Sequence, residues 1–171
     1  MPEQLKLRRV FEFDDVNGEI LVLGRRYAAV DLENFCQHLD LIVGPKVAGT
    51  IVGSHARQVG KEDVDKIHDS QPASSPGEII EALVVGDILG GFGVTKIRLT
   101  EDQAVPVELE VRNPIIKSCS GTGVRFLLSY WEGALSTLFK QVLEMNNVTY
   151  DESQNVLRCR FAVIGLNQRQ G

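Results

Sequence analysis

The chain has 171 residues, of which 43% are hydrophobic and 24% charged, and its net charge is −5. These values fit a globular protein that buries a core without a metal or disulfide, and they argue against sequence-independent nucleic-acid binding, which needs a basic surface. The three cysteines are far apart, the N-terminal residues have no apolar signal segment, and no window contains roughly 18 apolar residues. We therefore expect a reduced, cytoplasmic protein. We expect one domain over residues 1–171.

A β-meander opens the predicted fold. Leu7–Phe13 alternates as a strand, and Glu19–Leu23 and Arg26–Val30 read as two further strands separated by turn residues. Asp31 is a suitable N-cap for an amphipathic helix that ends near Gly44.

The next helix, predicted from Pro45 to about Val59, contains Gly49 and Gly53. Each glycine costs a helix about 1 kcal/mol, so we expect these two to allow close approach of another backbone, in the same chain or in a second subunit. A separate charged helix is predicted over Lys61–Asp69, and another begins after Ser75.

The second half returns to strands around one long helix. The pattern predicts two antiparallel strands with one solvent-exposed face at Val94–Leu99 and Val105–Val111. An apolar run from Val124 to Leu143 predicts the long helix, and strands at Val148–Tyr150 and Val156–Val163 close the chain. The order of elements predicts an α+β fold in which an antiparallel sheet packs against a helical layer.

Several segments in this order resemble the 4-vinyl reductase-type (hydrocarbon-binding) domain, whose fold is shared with Golgi-transport tethering subunits and haem-dependent nitric-oxide-sensing domains. The matching segments are GEILVLGRRY, HARQVG, Gly90-Gly91-Phe92-Gly93, Asn113-Pro114, Tyr130-Trp131-Glu132-Gly133 and Cys159-Arg160-Phe161. They span nearly the whole chain. The resemblance implies a homodimer that encloses a hydrophobic or aromatic ligand, and free-standing archaeal members are those that this chain looks most like.

Many members of that family bind zinc near the C-terminus through three cysteines and an acidic residue. The matching positions here are Arg125, Val148, Asp151 and Cys159. One thiol and one carboxylate fall short of the four ligands of a structural zinc site. We therefore predict no metal and no cofactor.

Five residues are the predicted ligand-binding set. Phe126, Tyr130 and Trp131 lie on the long helix, Phe92 lies in the glycine-rich corner, and His55 lies on the glycine-bearing helix. The simpler alternative for the three aromatic residues is a core helix, which is compatible with a pocket because pockets and cores share walls. For His55 the alternative is a surface histidine.

Other motifs give little support for catalysis. HxxxH and HExxH spacings are absent, and GGFG follows a helix where a nucleotide-binding loop would follow a strand. The glycines before the long helix leave an anion site at its N-terminus open as an alternative. Cys119 lies near the same helix start, where a helix dipole lowers a thiol pKa, but no histidine is adjacent in sequence. We predict no catalytic residues.

The sequence thus favours a non-enzymatic protein that binds a hydrophobic or aromatic small molecule in an apolar cavity. Two alternatives stay open: a scaffold or tethering subunit of a protein complex, and an accessory enzyme of tetrapyrrole or coenzyme biosynthesis.

Overall fold

The computed structural model describes residues 11–14, 19–22, 25–27, 31–118 and 120–164. Its first sheet is antiparallel and consists of β1 (Phe11–Asp14), β2 (Glu19–Val22) and β3 (Arg25–Tyr27) in that order. The predicted opening meander is confirmed. The turn predicted at Asn17-Gly18 lies outside the described residues.

The described residues after β3 form four helices: α1 (Leu32–Val43), α2 (Pro45–Ser70), α3 (Pro76–Leu89) and α4 (Thr122–Phe139). Local signals set two of their starts. The Asp31 carboxylate accepts a hydrogen bond from the Asn34 N–H at 3.0 Å, and Ser75 and Glu78 form a reciprocal capping box. None of the described helices is long and apolar enough to cross a membrane.

The long α2 corrects the prediction of two shorter helices, because it continues through Gly60 without a break. A side chain at Gly60 would collide with the Tyr130 carbonyl, and one at Gly133 would collide with the Arg57 carbonyl. The backbones of α2 and α4 therefore touch at glycines contributed by both helices. The sequence predicted such a backbone contact at Gly49 and Gly53, but Gly53 faces the side chains of Arg125 and Ser129, and Gly49 makes only ordinary side-chain contacts with α4.

The second sheet is fully antiparallel, in the order β4-β5-β7-β6. Its strands are β4 (Val94–Leu99), β5 (Val107–Arg112), β6 (Leu143–Asp151) and β7 (Val156–Val163). The prediction placed Val142 and Leu143 in the long helix, but α4 ends at Phe139 with Lys140 in a left-handed conformation. Leu143 instead begins β6, which is longer than predicted and irregular between Asn146 and Thr149.

The core lies between the inner face of this sheet and the helices α3 and α4. Inward-facing residues of β5 and β7 are fully buried there together with one side of α4; they include Val107, Leu109, Val111, Leu157, Phe161, Leu128, Trp131 and Leu135. Glu108 and Glu110 point to the opposite face, as the alternation predicts. The α+β class with an antiparallel sheet against helices is confirmed.

Candidate functional site

Trp131 is the centre of the candidate site. It lies in the middle of α4 with no exposed surface, facing α3 and the sheet. Its indole Nε1 donates a hydrogen bond to Asp87 Oδ2 at 2.8 Å, and the Thr95 hydroxyl donates to the same oxygen at 2.5 Å. A helix, a strand and the long helix therefore meet at one carboxylate.

Asp87 occupies the last turn of α3 and is 4% exposed. Burial raises the pKa of its carboxyl group to about 6, although the hydrogen bonds from Thr95 and Trp131 act in the opposite direction. Burial has this effect because a low-dielectric interior disfavours the charged form. The group is thus a buried acid that titrates near neutral pH.

Tyr130 adjoins Trp131 on α4 and is half-buried. The two rings meet edge to face, with centroids 5.8 Å apart. The Tyr130 hydroxyl donates to Oδ2 of a second buried acid, Asp63 of α2, at 3.1 Å. Each aromatic residue of the pair therefore directs its polar atom at a separate carboxylate.

Phe126 and Phe92 form the outer part of the aromatic group. Their ring centroids are 6.0 Å apart, and both residues are half-buried. Phe92 lies in the Gly90–Gly93 corner between α3 and β4, where its N–H donates to the Asp87 carbonyl at 2.9 Å. The structure thus gathers four of the five predicted ligand-binding residues along α4 and this corner.

His55, the fifth residue, is exposed on α2. Besides Asp63, α2 directs Arg57 against α4, where its Nη2 lies 2.7 Å from Oε1 of the buried Glu132. Burial raises the pKa of Glu132, and the neighbouring Arg57 counteracts part of that effect. Whether any of the five residues contacts a ligand stays a prediction.

The positions that match the family zinc site do not converge as ligands. Arg125 is exposed and directs Nη1 toward Met145 Sδ at 3.6 Å, and Asp151 accepts hydrogen bonds from its own turn. Cys159 is buried, and burial raises the pKa of its thiol to about 12. Among the residues that the structure describes, no three His, Cys, Asp or Glu side chains are grouped as metal ligands. The absence of zinc stays a prediction.

The two thiols that the structure describes offer little nucleophilic chemistry at neutral pH. The thiolate is the reactive form, and burial raises the pKa of Cys36 as well as that of Cys159. Cys119, the cysteine predicted near a helix start, lies outside the described residues.

Trp131 does not line either of the two best-formed concavities on the described surface. One lies on the outer face of the four-stranded sheet, and the other lies between α2 and α4 beside Arg57 and Gly133. The interior around Trp131 is closed by its neighbours, so a ligand that entered it would have to displace side chains.

Charged side chains cover the outer face of the sheet. Glu108 pairs with Arg98 at 3.4 Å and Arg160 at 3.0 Å. Glu110 pairs with Arg112 at 2.9 Å and with Arg158 at 3.1 Å. The hydrogen bond from Arg112 is the main cause that lowers the pKa of Glu110. All four arginines are substantially exposed, so each pair contributes little to stability.

Asp87 is the residue that the sequence-based analysis missed. A signal for it exists in the sequence: it is the sole charged residue after Glu81 in α3, whose end from Val84 to Leu89 is otherwise apolar, and it lies in the last turn. An acid there faces the negative end of the helix dipole. An unfavourable charge in an apolar segment indicates a specific partner inside the protein.

Comparisons with known proteins give a fold and no family. No model of a protein family matches the chain, and no curated protein is significantly similar to it. Among solved structures, the chain is similar to the phenol-responsive sensory domain of the transcription activator PoxR with phenol. The TM-score is 0.71 at 12% sequence identity, over 93% of this chain and 87% of that chain. The likeness shows that the two share a fold.

Proposed function

We propose that this chain is a single, non-catalytic domain of the 4-vinyl reductase type, which binds a hydrophobic or aromatic small molecule between α3, α4 and the inner face of the four-stranded sheet. The observation that carries the proposal is the aromatic group on α4 and the adjoining corner. Support comes from the fold, because the similar sensory domain responds to phenol and its structure was solved with phenol.

Burial of ligand carbon would provide the affinity. Removing apolar surface from water contributes roughly 25 cal/mol per Å², and an edge-to-face aromatic contact adds about 0.5–1.5 kcal/mol. Phe126, Tyr130, Trp131 and Phe92 supply such contacts, with His55 retained as the predicted polar residue at the periphery. Phe92 and Phe126 are half-buried, like Tyr130, but a ligand that displaced them would break no side-chain hydrogen bond, whereas Tyr130 donates one to Asp63.

Thermal-shift and fluorescence titrations against phenols, fatty acids and porphyrins test the proposal. Trp131 is the single tryptophan of the chain, so intrinsic fluorescence reports on the site directly. We expect one class to raise the melting temperature and change the Trp131 emission, and Phe126→Ala to weaken binding at least tenfold. Phe35→Ala is the matched control, because Phe35 is 49% exposed on α1. Failure of all three classes to bind would count against the proposal.

The proposed partner is a second copy of the chain in a cytoplasmic homodimer. The end of α1 and the start of α2 expose Leu41 (84%), Ile42 (76%), Val47 and Ile51, and exposed apolar surface of this kind marks interfaces. Light scattering should give about twice the mass of 18.9 kDa. Leu41→Glu with Ile42→Glu should halve that mass, whereas Leu99→Glu on β4 should leave it unchanged.

A scaffold or tethering subunit is the second candidate, and the closed interior around Trp131 favours it. The face built on Gly49 and Gly53 is already covered by α4, so the surface available for such a role is the exposed apolar one on α1 and α2. A stable complex with a different protein, lost in the Leu41→Glu, Ile42→Glu variant, together with no ligand response, would support this candidate.

A further inference from the structure

We propose that the ligand carries an amine, and that its ammonium group binds the Asp87 carboxylate beside Trp131. This inference rests on the proposed function and specifies which class of molecule the site takes. It starts from the charges buried in the interior and from the way in which Asp87 is hydrogen-bonded.

The described interior contains acids and no base. Its buried polar side chains are Asp63, Asp87, Thr95, Thr122, Ser129 and Glu132, and every buried charged residue among them is acidic. Glu132 has a counter-ion in Arg57, whose side chain is 50% exposed. Among the described residues, Asp87 receives side-chain hydrogen bonds from the neutral donors of Thr95 and Trp131 alone. Its charge is therefore uncompensated.

The hydrogen bonds of Asp87 leave one oxygen available. Thr95 and Trp131 both donate to Oδ2, and Oδ1 accepts no hydrogen bond from the part of the chain that the structure describes. A carboxylate can accept about four hydrogen bonds. An ammonium group at Oδ1 would supply both the missing donors and the missing positive charge.

Energetics favour an amine over a neutral or acidic ligand. Burying an ion costs free energy. For Asp87 this cost arises when the chain folds, and an ammonium group bound beside the carboxylate would offset it. A carboxylic acid would place a second negative charge beside the first. A cation over an adjacent aromatic face gains about 0.5–2 kcal/mol of further stabilisation. Trp131 and Phe92 provide such faces within the same cluster.

The Gly90–Gly93 corner adjoins Asp87 along the chain. It directly follows the helix turn that carries Asp87 and directly precedes β4, which carries Thr95. Gly90 and Gly91 are exposed, and the Phe92 ring packs against Gly90. Displacing that one ring would open the interior at the end of α3.

A purely structural role for Asp87 is the competing explanation, since Asp87 also joins α3 to β4 and α4. A structural acceptor needs no charge, and an asparagine carbonyl would serve. The two explanations therefore differ in what Asp87→Asn does to ligand selectivity.

Four ligands with one phenylethyl skeleton test the proposal: 2-phenylethylamine, 2-phenylethanol, propylbenzene and 3-phenylpropionate. Dissociation constants at pH 7.5 come from Trp131 fluorescence and calorimetry. We expect the amine to bind at least tenfold more tightly than propylbenzene and the acid to bind most weakly. In Asp87→Asn the preference for the amine should disappear while propylbenzene binds within threefold of its original affinity. Thr95→Val, which keeps the charge, should retain the preference.

The outcomes separate the two proposals. Tight binding of propylbenzene without a preference for the amine would overturn the amine assignment and leave the proposed function standing. An unchanged preference in a folded Asp87→Asn protein would also overturn it. If none of the four ligands binds, the amine assignment fails. If the phenols, fatty acids and porphyrins also fail to bind, the proposed function itself fails. Near-ultraviolet circular dichroism of Trp131 verifies that each variant is folded. If Asp87→Asn does not fold, the test uses the ligand selectivity of Asp87→Glu and Thr95→Val, both of which keep the charge.

Discussion

The two faces of the four-stranded sheet treat a carboxylate in opposite ways. On the outer face, Glu110 lies between Arg112 and Arg158, and the pKa of its carboxyl group is lowered. On the inner side, the Asp87 carboxylate accepts hydrogen bonds only from neutral donors within the described part of the chain, and its pKa is raised to about 6. Solvent and the arginines stabilise the ionised form of Glu110. Burial destabilises the ionised form of Asp87, which has no counter-ion among the described residues. A charge kept where it destabilises the fold indicates a use other than stability.

The largest difference between the faces should appear on truncation. Trp131→Ala removes a fully buried side chain and the donor to Asp87, so we expect the free energy of unfolding to fall by about 3–5 kcal/mol. Arg160→Ala on the outer face should cost less than about 1 kcal/mol, because its pair with Glu108 is exposed to solvent. Urea denaturation measures both values. Equal losses would show that the faces do not differ as described.

The inner and outer carboxylates should also differ in how they make stability depend on pH, and the largest such dependence is expected at Asp87. Its folded pKa of about 6 lies above the ordinary value of 3.8, so the folded state holds the proton more tightly. The contribution to stability is fully present below pH 3.8 and is lost as the pH rises through about 6. The loss amounts to about 3 kcal/mol.

Asp87→Asn should remove this dependence. The difference in unfolding free energy between the original and variant proteins should therefore change by about 3 kcal/mol between pH 3.5 and pH 7.5, with the variant gaining relative stability at the higher pH. Comparing the two proteins cancels the other titrating groups. A difference that is constant across this range would show that Asp87 is ionised as readily inside the fold as outside it.

The smallest effect belongs to the outer face. Glu110→Gln should lower the free energy of unfolding by about 0.5 kcal/mol, because its ion pairs are solvent-exposed, and 1 M salt should abolish most of that loss. The sign follows from the lowered pKa of Glu110: its contribution is present above its unfolded pKa and lost as the pH falls. Retention of the full loss at 1 M salt would contradict a screened, exposed pair.

Local signals explain most of what the sequence could predict. Asp31 and Ser75 act within three residues of themselves, and the alternation around Glu108 and Glu110 depends only on strand geometry, so these features were predicted correctly. The continuity of α2 was not predictable in this way. Gly60 ordinarily weakens a helix, and only the distant Tyr130 carbonyl shows why a glycine is required there.

The residues of the candidate site also differ in whether local signals predict them. The apolar period of α4 predicted its aromatic residues, but it could not predict that Val142 and Leu143 leave the helix, because apolar residues suit a strand as well. Asp87 became visible only through contacts with residues 8 and 44 positions away. Pairings over such separations follow from tertiary packing.

The glycine contacts between α2 and α4 also bear on which ligands related chains could accept. Because Gly60 and Gly133 each meet backbone of the opposite helix, those two helices have a fixed spacing. In the proposed binding mode, any adjustment to ligand size would fall to the other side of the site, the four residues Gly90–Gly93. Ligand range would accordingly be tunable by substitutions in one short segment, while α2 and α4 act as an invariant frame for engineered or natural variants.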